Sequence, residues 1–223
     1  MVDASASASN GDRCRDISAG DPVSVDPETR AVYDRKAEDY ARMVRSEKPS
    51  GALAEFIGLM PPGARVLDLG CGPADAAAAM RDAGLRPDAI DASPGMVEIA
   101  NRTHDIGARC ATFDDLTEEA AYAGVWASFS LLHAARDDLP RHLAAIARSL
   151  VDGGHLTIGM KVGEGGGRDS LGRFYVYVGV AELEGMLHDA GLSVLSKREG
   201  AERGMAGTID PHVIMLARKT ADG

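Results

Sequence analysis

The sequence is poor in aromatic side chains, in cysteine and in positive charge, and each shortage excludes a class of protein. Aromatic residues make up 4% of the 223 residues, so closely packed alanine, glycine and aliphatic side chains must form the core. The formal net charge is -10, and no run of clustered Lys and Arg occurs. This balance argues against a nucleic acid or an anionic membrane as partner.

The three cysteines are odd in number and form no Cys-x-x-Cys pair, so neither a disulfide framework nor a structural zinc site is expected. The sequence also lacks a secretory signal and any apolar stretch long enough to span a bilayer, which favours a cytoplasmic protein. No feature of the sequence indicates an oligomeric state.

The chain length suits one α/β domain with an appendage, and composition divides it into three parts. Residues 1–20 are rich in Ala, Ser, Asp and Gly without periodic apolar positions, which predicts a disordered tail. Residues 21–62 carry two amphipathic helical patterns, one from Asp26 and one over 51–60, and Pro61, Pro62 and Gly63 end the second. Residues 63–220 form the main domain.

The main domain alternates apolar strand patterns with helical ones. Strands are predicted near residues 64–69, 86–91, 107–112, 124–132, 154–161, 192–198 and 211–219, and helices near 74–83, 94–103, 137–150 and 181–190. Such alternation predicts a mostly parallel sheet covered by helices on both faces.

A glycine-rich turn follows the first strand. Val66, Leu67 and Leu69 are apolar, Asp68 interrupts them, and Gly70, Cys71 and Gly72 precede an alanine-rich helix. A strand, a glycine turn and a helix together bring backbone N–H groups close to a ligand. Because Asp75 stands where a dinucleotide-binding turn carries its third glycine, the turn alone is a weak signal.

The second strand supplies the partner of this turn. Asp91 ends it roughly 20 residues past the glycines, the spacing at which a carboxylate meets a ribose diol. Ser93 and Pro94 follow as a good N-cap and first-turn pair.

These two motifs resemble those of the class I S-adenosylmethionine-dependent methyltransferases. The resemblance covers residues 30–220, is strongest over 64–177, and points to a bacterial subgroup that acts on small molecules. It implies a Rossmann-like sheet of seven strands, the last of them antiparallel, and an N-terminal helical lid over the cofactor.

The resemblance also implies roles for individual residues in binding S-adenosylmethionine. Asp91 would accept from the ribose hydroxyls, and Asp68 would help place the amino group. The full set of implied cofactor-binding residues is Tyr33, Tyr40, Asp68, Gly70, Cys71, Gly72, Asp91, Ala92, Met96, Asp114, Asp115 and Ser130. For Tyr33 and Tyr40, packing of the lid helix is an equal alternative. Asp114 is the preferred adenine ligand and Asp115 the alternative, and a plain Asp-rich turn is the competing interpretation.

The implied acceptor site is less specific. His133, at the exit of the fourth strand, is the candidate catalytic base, with the orientation of a loop as its alternative role. A glycine-rich segment followed by aromatics would close over the acceptor with Arg173, Tyr175 and Tyr177 as substrate-binding residues. A guanidinium there would suit an anionic acceptor, unless it pairs with acids such as Asp169.

Three functions therefore stay open on the sequence. The first is methyl transfer to a small molecule, including an anionic one. The second is an NAD(P)-dependent oxidoreductase on a Rossmann-like fold, against which Asp75 and the residues after Asp91 argue. The third is a non-catalytic protein that binds S-adenosylmethionine.

Overall fold

The computed structural model describes residues 25–45 and 49–220, so the predicted tail over 1–20 lies outside the described residues. Its main sheet has seven strands, which are β1 (Arg65–Leu69), β2 (Arg86–Asp91), β3 (Arg109–Cys110), β4 (Tyr122–Ser128), β5 (Leu150–Lys161), β8 (Leu192–Arg203) and β9 (Ile209–Lys219). Their order in the sheet is β3-β2-β1-β4-β5-β9-β8. A separate hairpin pairs β6 (Gly166–Arg168) with β7 (Phe174–Val176).

The strand directions confirm the predicted fold. The pairs β1–β2, β1–β4, β2–β3 and β4–β5 are parallel, whereas β9 runs antiparallel to both β5 and β8. Parallel strands end at a common carboxyl edge, and the loops after β1, β2, β4 and β5 therefore meet there. The class is the predicted Rossmann-like, seven-stranded, mostly parallel sheet with an antiparallel last strand.

Seven α-helices lie in the described part of the chain. They are α1 (Pro27–Arg35), α2 (Ala37–Val44), α3 (Gly51–Leu59), α4 (Asp75–Asp82), α5 (Pro94–His104), α6 (Leu139–Ser149) and α7 (Val180–Asp189). Ser93 caps α5 as predicted, since its hydroxyl accepts from the Met96 N–H at 3.2 Å. None of these helices is long and apolar enough to cross a membrane.

Alternation along the central strands divides the core between two faces. Val66 of β1 and Trp126 of β4 pack with Phe56 and Met60 on one side. Leu67, Leu69, Val125 and Ala127 pack on the other side with side chains of α6 and α7. Because side chains alternate along a strand, Asp68 shares the side of Val66, where α4 lies.

Several predicted boundaries differ from the structure. The strand predicted over 107–112 is reduced to Arg109–Cys110, and the one over 124–132 ends at Ser128. The cause of the second difference is Phe129, which takes φ 56 and turns the chain into a helical turn over Leu131–His133. The strand predicted over 192–198 continues to Arg203.

Among the cysteines, Cys71 is free and buried in the structure.

Candidate functional site

The glycine turn after β1 is shaped by two residues with positive φ. Gly70 takes φ 76 and Gly72 takes φ 53. A Cβ on Gly70 would lie 2.3 Å from the Cβ of Ser130, so no larger residue fits between β1 and the loop after β4. The turn therefore holds the ends of the two central strands in close contact.

Asp91 at the end of β2 is tied to this turn. Its Oδ2 accepts from the Gly72 N–H at 2.8 Å, and its Oδ1 accepts from the Ser93 N–H at 2.8 Å. Burial raises the pKa of Asp91 to about 6 against the opposing effect of these two bonds. Each carboxylate oxygen keeps a further lone pair for a ligand.

A cavity, here named the first cavity, opens at this carboxyl edge. Nine of the sequence-predicted site residues line it, and they come from the lid, the glycine turn, β2 and α5, and the loop after β4. They are Tyr33, Tyr40, Gly70, Gly72, Asp91, Ala92, Met96, Ser130 and His133. The topology thus brings together residues that lie almost 100 positions apart in the chain.

The hydroxyl of Ser130 is buried in the first cavity without a hydrogen-bond partner among the described residues. Ser130 is 7% exposed. A buried hydroxyl with no partner costs free energy, so a ligand that bonds to it would recover that cost.

Asp68 and Cys71 lie on the other side of the glycine turn. Both line a groove next to the first cavity, together with Tyr40 and Gly70. Asp68 is 2% exposed, and its Oδ2 accepts from the Ala77 N–H of α4 at 3.1 Å. Burial raises the pKa of Asp68 to about 7 and raises the pKa of the Cys71 thiol.

Asp114 and Asp115 do not line the first cavity, although both were predicted as cofactor ligands. The Asp114 carboxylate pairs with Arg141 on α6. Asp115 closes a capping box, in which its Oδ2 accepts from the Thr112 N–H at 2.7 Å and from the Thr112 hydroxyl at 2.9 Å. Instead, Ala111, Thr112 and Phe113 line the cavity at this point. The spacing from Thr112 to Asp115 is the sequence signal for such a box.

His133 is held at both ring nitrogens. Its Nδ1 lies 2.6 Å from the Phe174 carbonyl oxygen and therefore carries the proton, while Nε2 accepts from the Tyr33 hydroxyl at 2.9 Å. Burial lowers the pKa of His133 to about 4, and the cations Arg173 and Lys161 lower it further. This arrangement favours the alternative that His133 orients the lid and the hairpin over the prediction that it takes an acceptor proton.

Polar contacts hold the lid helix α1 against two other elements, the start of α5 and the β6–β7 hairpin. Asp34 accepts from the Ser93 hydroxyl at 2.5 Å and from the Gly95 N–H at 3.1 Å, which joins α1 to the start of α5. Asp26 forms a two-point ion pair with Arg168 of β6, both distances being 2.8 Å. The Arg168 guanidinium lowers the pKa of Asp26 to about 2. The lid therefore closes the first cavity by contacts to both the sheet edge and the hairpin.

A second cavity lies beyond the lid side of the first. The two share Tyr33, Tyr40, Phe129 and His133, which form the wall between them. The predicted substrate residues Arg173 and Tyr175 line the second cavity, and Tyr177 does not. Tyr177 instead packs against Gly163, since a Cβ added to Gly163 would lie 3.1 Å from the Cβ of Tyr177.

Arg173 is buried, and each of its three guanidinium nitrogens donates a hydrogen bond within the protein. Its Nε and Nη2 donate to Asp169 at 2.9 and 2.7 Å, and its Nη1 donates to the Tyr33 hydroxyl at 3.1 Å. Asp169 is thus the partner of Arg173, which is the alternative to an anionic acceptor that the sequence analysis left open.

The second cavity also contains residues that the sequence did not single out. Lys161 ends β5, and Asp210 and His212 lie opposite it on β9. Glu202, Arg203, Gly204 and Met205 reach the cavity from the end of the extended β8–β9 hairpin. The only available signal was the position of Lys161 at the carboxyl end of a predicted strand.

Comparison with known proteins agrees with this geometry. Residues 66–154 match the family model of a methyltransferase domain. No curated protein matches the chain in sequence.

Several solved structures are similar in fold. One is the 1,6-didemethyltoxoflavin-N1-methyltransferase of Burkholderia thailandensis with 1,6-didemethyltoxoflavin and S-adenosylhomocysteine bound. It is 24% identical over 87% of this chain and 88% of the other, with a TM-score of 0.67. Another is the 4+2 cyclase SpnF, 19% identical over 92% and 100% of the two chains, with a TM-score of 0.69.

A third similar structure is a putative sarcosine dimethylglycine methyltransferase from Galdieria sulphuraria. It is 17% identical over 84% of this chain and 85% of the other, with a TM-score of 0.59. At these identities the likeness concerns the fold, and the cyclase among them is a reminder that a fold does not fix a reaction.

Proposed function

We propose that the chain, whose residues 66–154 match a methyltransferase domain, transfers a methyl group from S-adenosylmethionine in the first cavity to a small molecule in the second. The observation that carries this proposal is the shared wall. Tyr33, Tyr40, Phe129 and His133 line both cavities, so a donor and an acceptor would meet there.

The residues of the first cavity fit the cofactor. The Asp91 carboxylate, which already accepts two backbone N–H bonds, has lone pairs left for ribose hydroxyls. Ser130 offers a buried hydroxyl with no partner in the described residues. Ala92, Met96 and Phe113 supply apolar surface of the kind that an adenine ring requires.

When bound, S-adenosylmethionine supplies a methyl group already activated on a sulfonium, so little acid–base chemistry is asked of the protein. Its tasks are to orient the acceptor and to exclude water. Tyr33 serves both, because it stands in the shared wall and is fixed by His133 and Arg173. Neutral His133 then positions Tyr33.

The proposal also departs from the predicted sites at the adenine end and in the acceptor pocket. Thr112 and Phe113 replace Asp114 and Asp115 at the adenine end, because the two carboxylates are engaged by Arg141 and Thr112. The anionic acceptor is no longer supported by Arg173, since Asp169 and Tyr33 use its donors. The sequence left an NAD(P)-dependent oxidoreductase open as an alternative. The matched methyltransferase family does not support it.

A crystal structure of the protein grown with S-adenosylhomocysteine tests the proposal. The ribose is expected within hydrogen-bonding distance of Asp91, with the sulfur facing Tyr33, Tyr40 and Phe129. Adenosine density elsewhere, or a sulfur turned away from the second cavity, would contradict it. A Ser130→Ala variant, which removes the hydroxyl without adding volume, is expected to bind S-adenosylhomocysteine more weakly than a control Ser170→Ala variant, whose serine lines neither cavity.

A further inference from the structure

The charges of the second cavity are balanced rather than positive. Arg173 is 3% exposed and directs all of its hydrogen bonds to Asp169 and Tyr33. Lys161 faces Asp210 across β5 and β9, and Glu202 accompanies Arg203 at the end of the β8–β9 hairpin. A ligand with a full charge of either sign would therefore lie close to a like charge.

Lys161 and Asp210 form the polar pair of this cavity. Their side chains are 14% and 21% exposed, and Lys161 Nζ donates to Asp210 Oδ2 at 2.7 Å. The ammonium also lies 3.6 Å from the centre of the Tyr175 ring. An ammonium has three N–H donors, so one remains for a ligand after the carboxylate and the ring are counted.

Asp210 has capacity left as an acceptor. Both of the hydrogen bonds that it receives from the described residues, from Lys161 Nζ and from the Thr208 hydroxyl at 3.0 Å, end on Oδ2. Oδ1 is then available to accept. The pair thus offers a ligand one strong donor and one strong acceptor side by side.

The rest of the cavity favours a flat, largely apolar ligand. Aromatic side chains from the lid, the loop after β4 and the hairpin line it, namely Tyr33, Tyr40, Phe129 and Tyr175. Met43, Val44 and Met205 line it as well, and Met43 is 48% exposed. Aromatic rings and flexible thioethers suit the faces of a planar ring.

From this juxtaposition we infer that the methyl acceptor is a neutral, planar ring compound with a donor atom and an acceptor atom side by side on one edge. A lactam or imide edge has this pattern. Its N–H donates to Asp210 and its carbonyl accepts from Lys161, while Tyr33, Tyr40 and Phe129 contact its faces. The inference rests on the proposed function and names the substrate class of the same site.

The test is a calorimetric titration of the protein saturated with S-adenosylhomocysteine. Lumazine, a flat bicyclic compound with two imide-type edges, is the probe. 2-Naphthoate and 2-naphthylmethylammonium, of similar size but charged, are the comparisons. Lumazine is expected to bind at least tenfold more tightly than either charged compound. Equal or tighter binding of a charged compound, or no binding of lumazine, overturns the inference.

Variants distinguish the contribution of Lys161 and Asp210 to lumazine binding from the contribution of the cavity's shape. Lys161→Met and Asp210→Leu are each expected to weaken lumazine binding about tenfold or more, the usual effect of losing a hydrogen bond to a charged group. The double variant Lys161→Gln with Asp210→Asn keeps a donor and an acceptor without charge and is expected to stay within about threefold of the wild type. Lys197→Met is the matched control, since Lys197 pairs with Glu184 on the surface.

The outcomes distinguish this inference from the proposed function. If S-adenosylhomocysteine does not bind, the proposed function fails. If it binds to every variant but lumazine binding is unchanged in Lys161→Met and Asp210→Leu, only the inference fails. Thermal unfolding of each variant shows whether a loss of binding reflects a loss of folding.

Discussion

Gly70 is the residue of the glycine turn at which any side chain would meet Ser130 in the loop after β4. Gly70→Ala is expected to lower the free energy of unfolding by about 2–4 kcal/mol, because a Cβ adds the strain of a positive φ and a 2.3 Å contact with Ser130. Urea unfolding measures this change.

Gly63 provides the matched control for Gly70. It has φ 71 with nothing within 4 Å of a built Cβ, so Gly63→Ala carries the backbone strain alone, about 1–2 kcal/mol. Equal losses in the two variants would show that the contact with Ser130 does not constrain the turn.

Asp68 is expected to give the ligand-free protein an unusual pH dependence. Burial raises its folded pKa from 3.8 to about 7, so the neutral acid is favoured in the folded state. The stability from this shift is fully present below about pH 4 and is lost as pH rises through about 7. Asp68→Asn removes that loss. The unfolding free energy of the variant minus that of the wild type should therefore increase by about 2–4 kcal/mol between pH 4 and pH 7.

Comparison between variants is needed because His133 acts in the opposite sense. Burial lowers its folded pKa to about 4, so its contribution is lost as pH falls. The difference between the wild type and Asp68→Asn cancels this effect. Asp82→Asn, at an exposed position, should track the wild type at every pH. A difference for Asp68→Asn that stays flat from pH 4 to pH 7 would remove Asp68 from this account.

At the residue scale, the sequence predicted best where a motif fixes the backbone. Gly70, Gly72 and Asp91 line the first cavity because a glycine turn after one strand and a carboxylate after the next meet at a shared edge. Asp114 and Asp115 do not line the first cavity, and a loop has no periodic pattern from which the direction of its side chains can be predicted. The Asp114 carboxylate pairs with Arg141, and the Asp115 carboxylate closes a capping box with Thr112.

At the scale of elements, the lid helix α1 depends on Asp34. Asp34→Ala removes the two hydrogen bonds that join α1 to the start of α5, so the lid should open more easily. Dissociation of S-adenosylhomocysteine is expected to become about tenfold faster, as measured by stopped-flow competition. Urea unfolding should change little, because most of the sheet core lies elsewhere.

Asp39→Ala is the control for the lid, since Asp39 is exposed on α2 and pairs only with Lys36 and Arg42 among the described residues. It should leave the dissociation rate unchanged. If both variants release S-adenosylhomocysteine at the wild-type rate, α1 is not the element that retains the cofactor.

Elements with a clear period were predicted, and those fixed by distant contacts were not. The strands ending at Leu69 and Asp91 were placed correctly, because their apolar runs are bounded by glycine or a helix cap. The hairpin of β6 and β7 was expected only as a closing segment, since Thr29 and Asp26 of the lid hold it in place from more than 140 residues away. The extension of β8 to Arg203 depends on pairing with β9. The charged residues in this part of β8 interrupt the apolar pattern, so the sequence did not predict the extension.

For the whole molecule, alternation of strands and helices was enough to predict the sheet and its coverage. The antiparallel last strand came from the family resemblance, and the structure confirms it. The second cavity was beyond prediction from the sequence because the lid, β5, the hairpin of β6 and β7, and the end of the β8–β9 hairpin all contribute to it. Such a site exists only after the elements have packed.

The proposed function requires that the cavity beside Gly70 and Asp91 holds the methyl donor. Calorimetric titration of the wild type and Asp91→Ala with S-adenosylhomocysteine, and of the wild type with NAD, tests it most directly. We expect one site for S-adenosylhomocysteine, no heat from NAD, and a loss of about 1.5–3 kcal/mol of binding free energy in Asp91→Ala. Binding of NAD by the wild type, or an unchanged affinity for S-adenosylhomocysteine in Asp91→Ala, would contradict it.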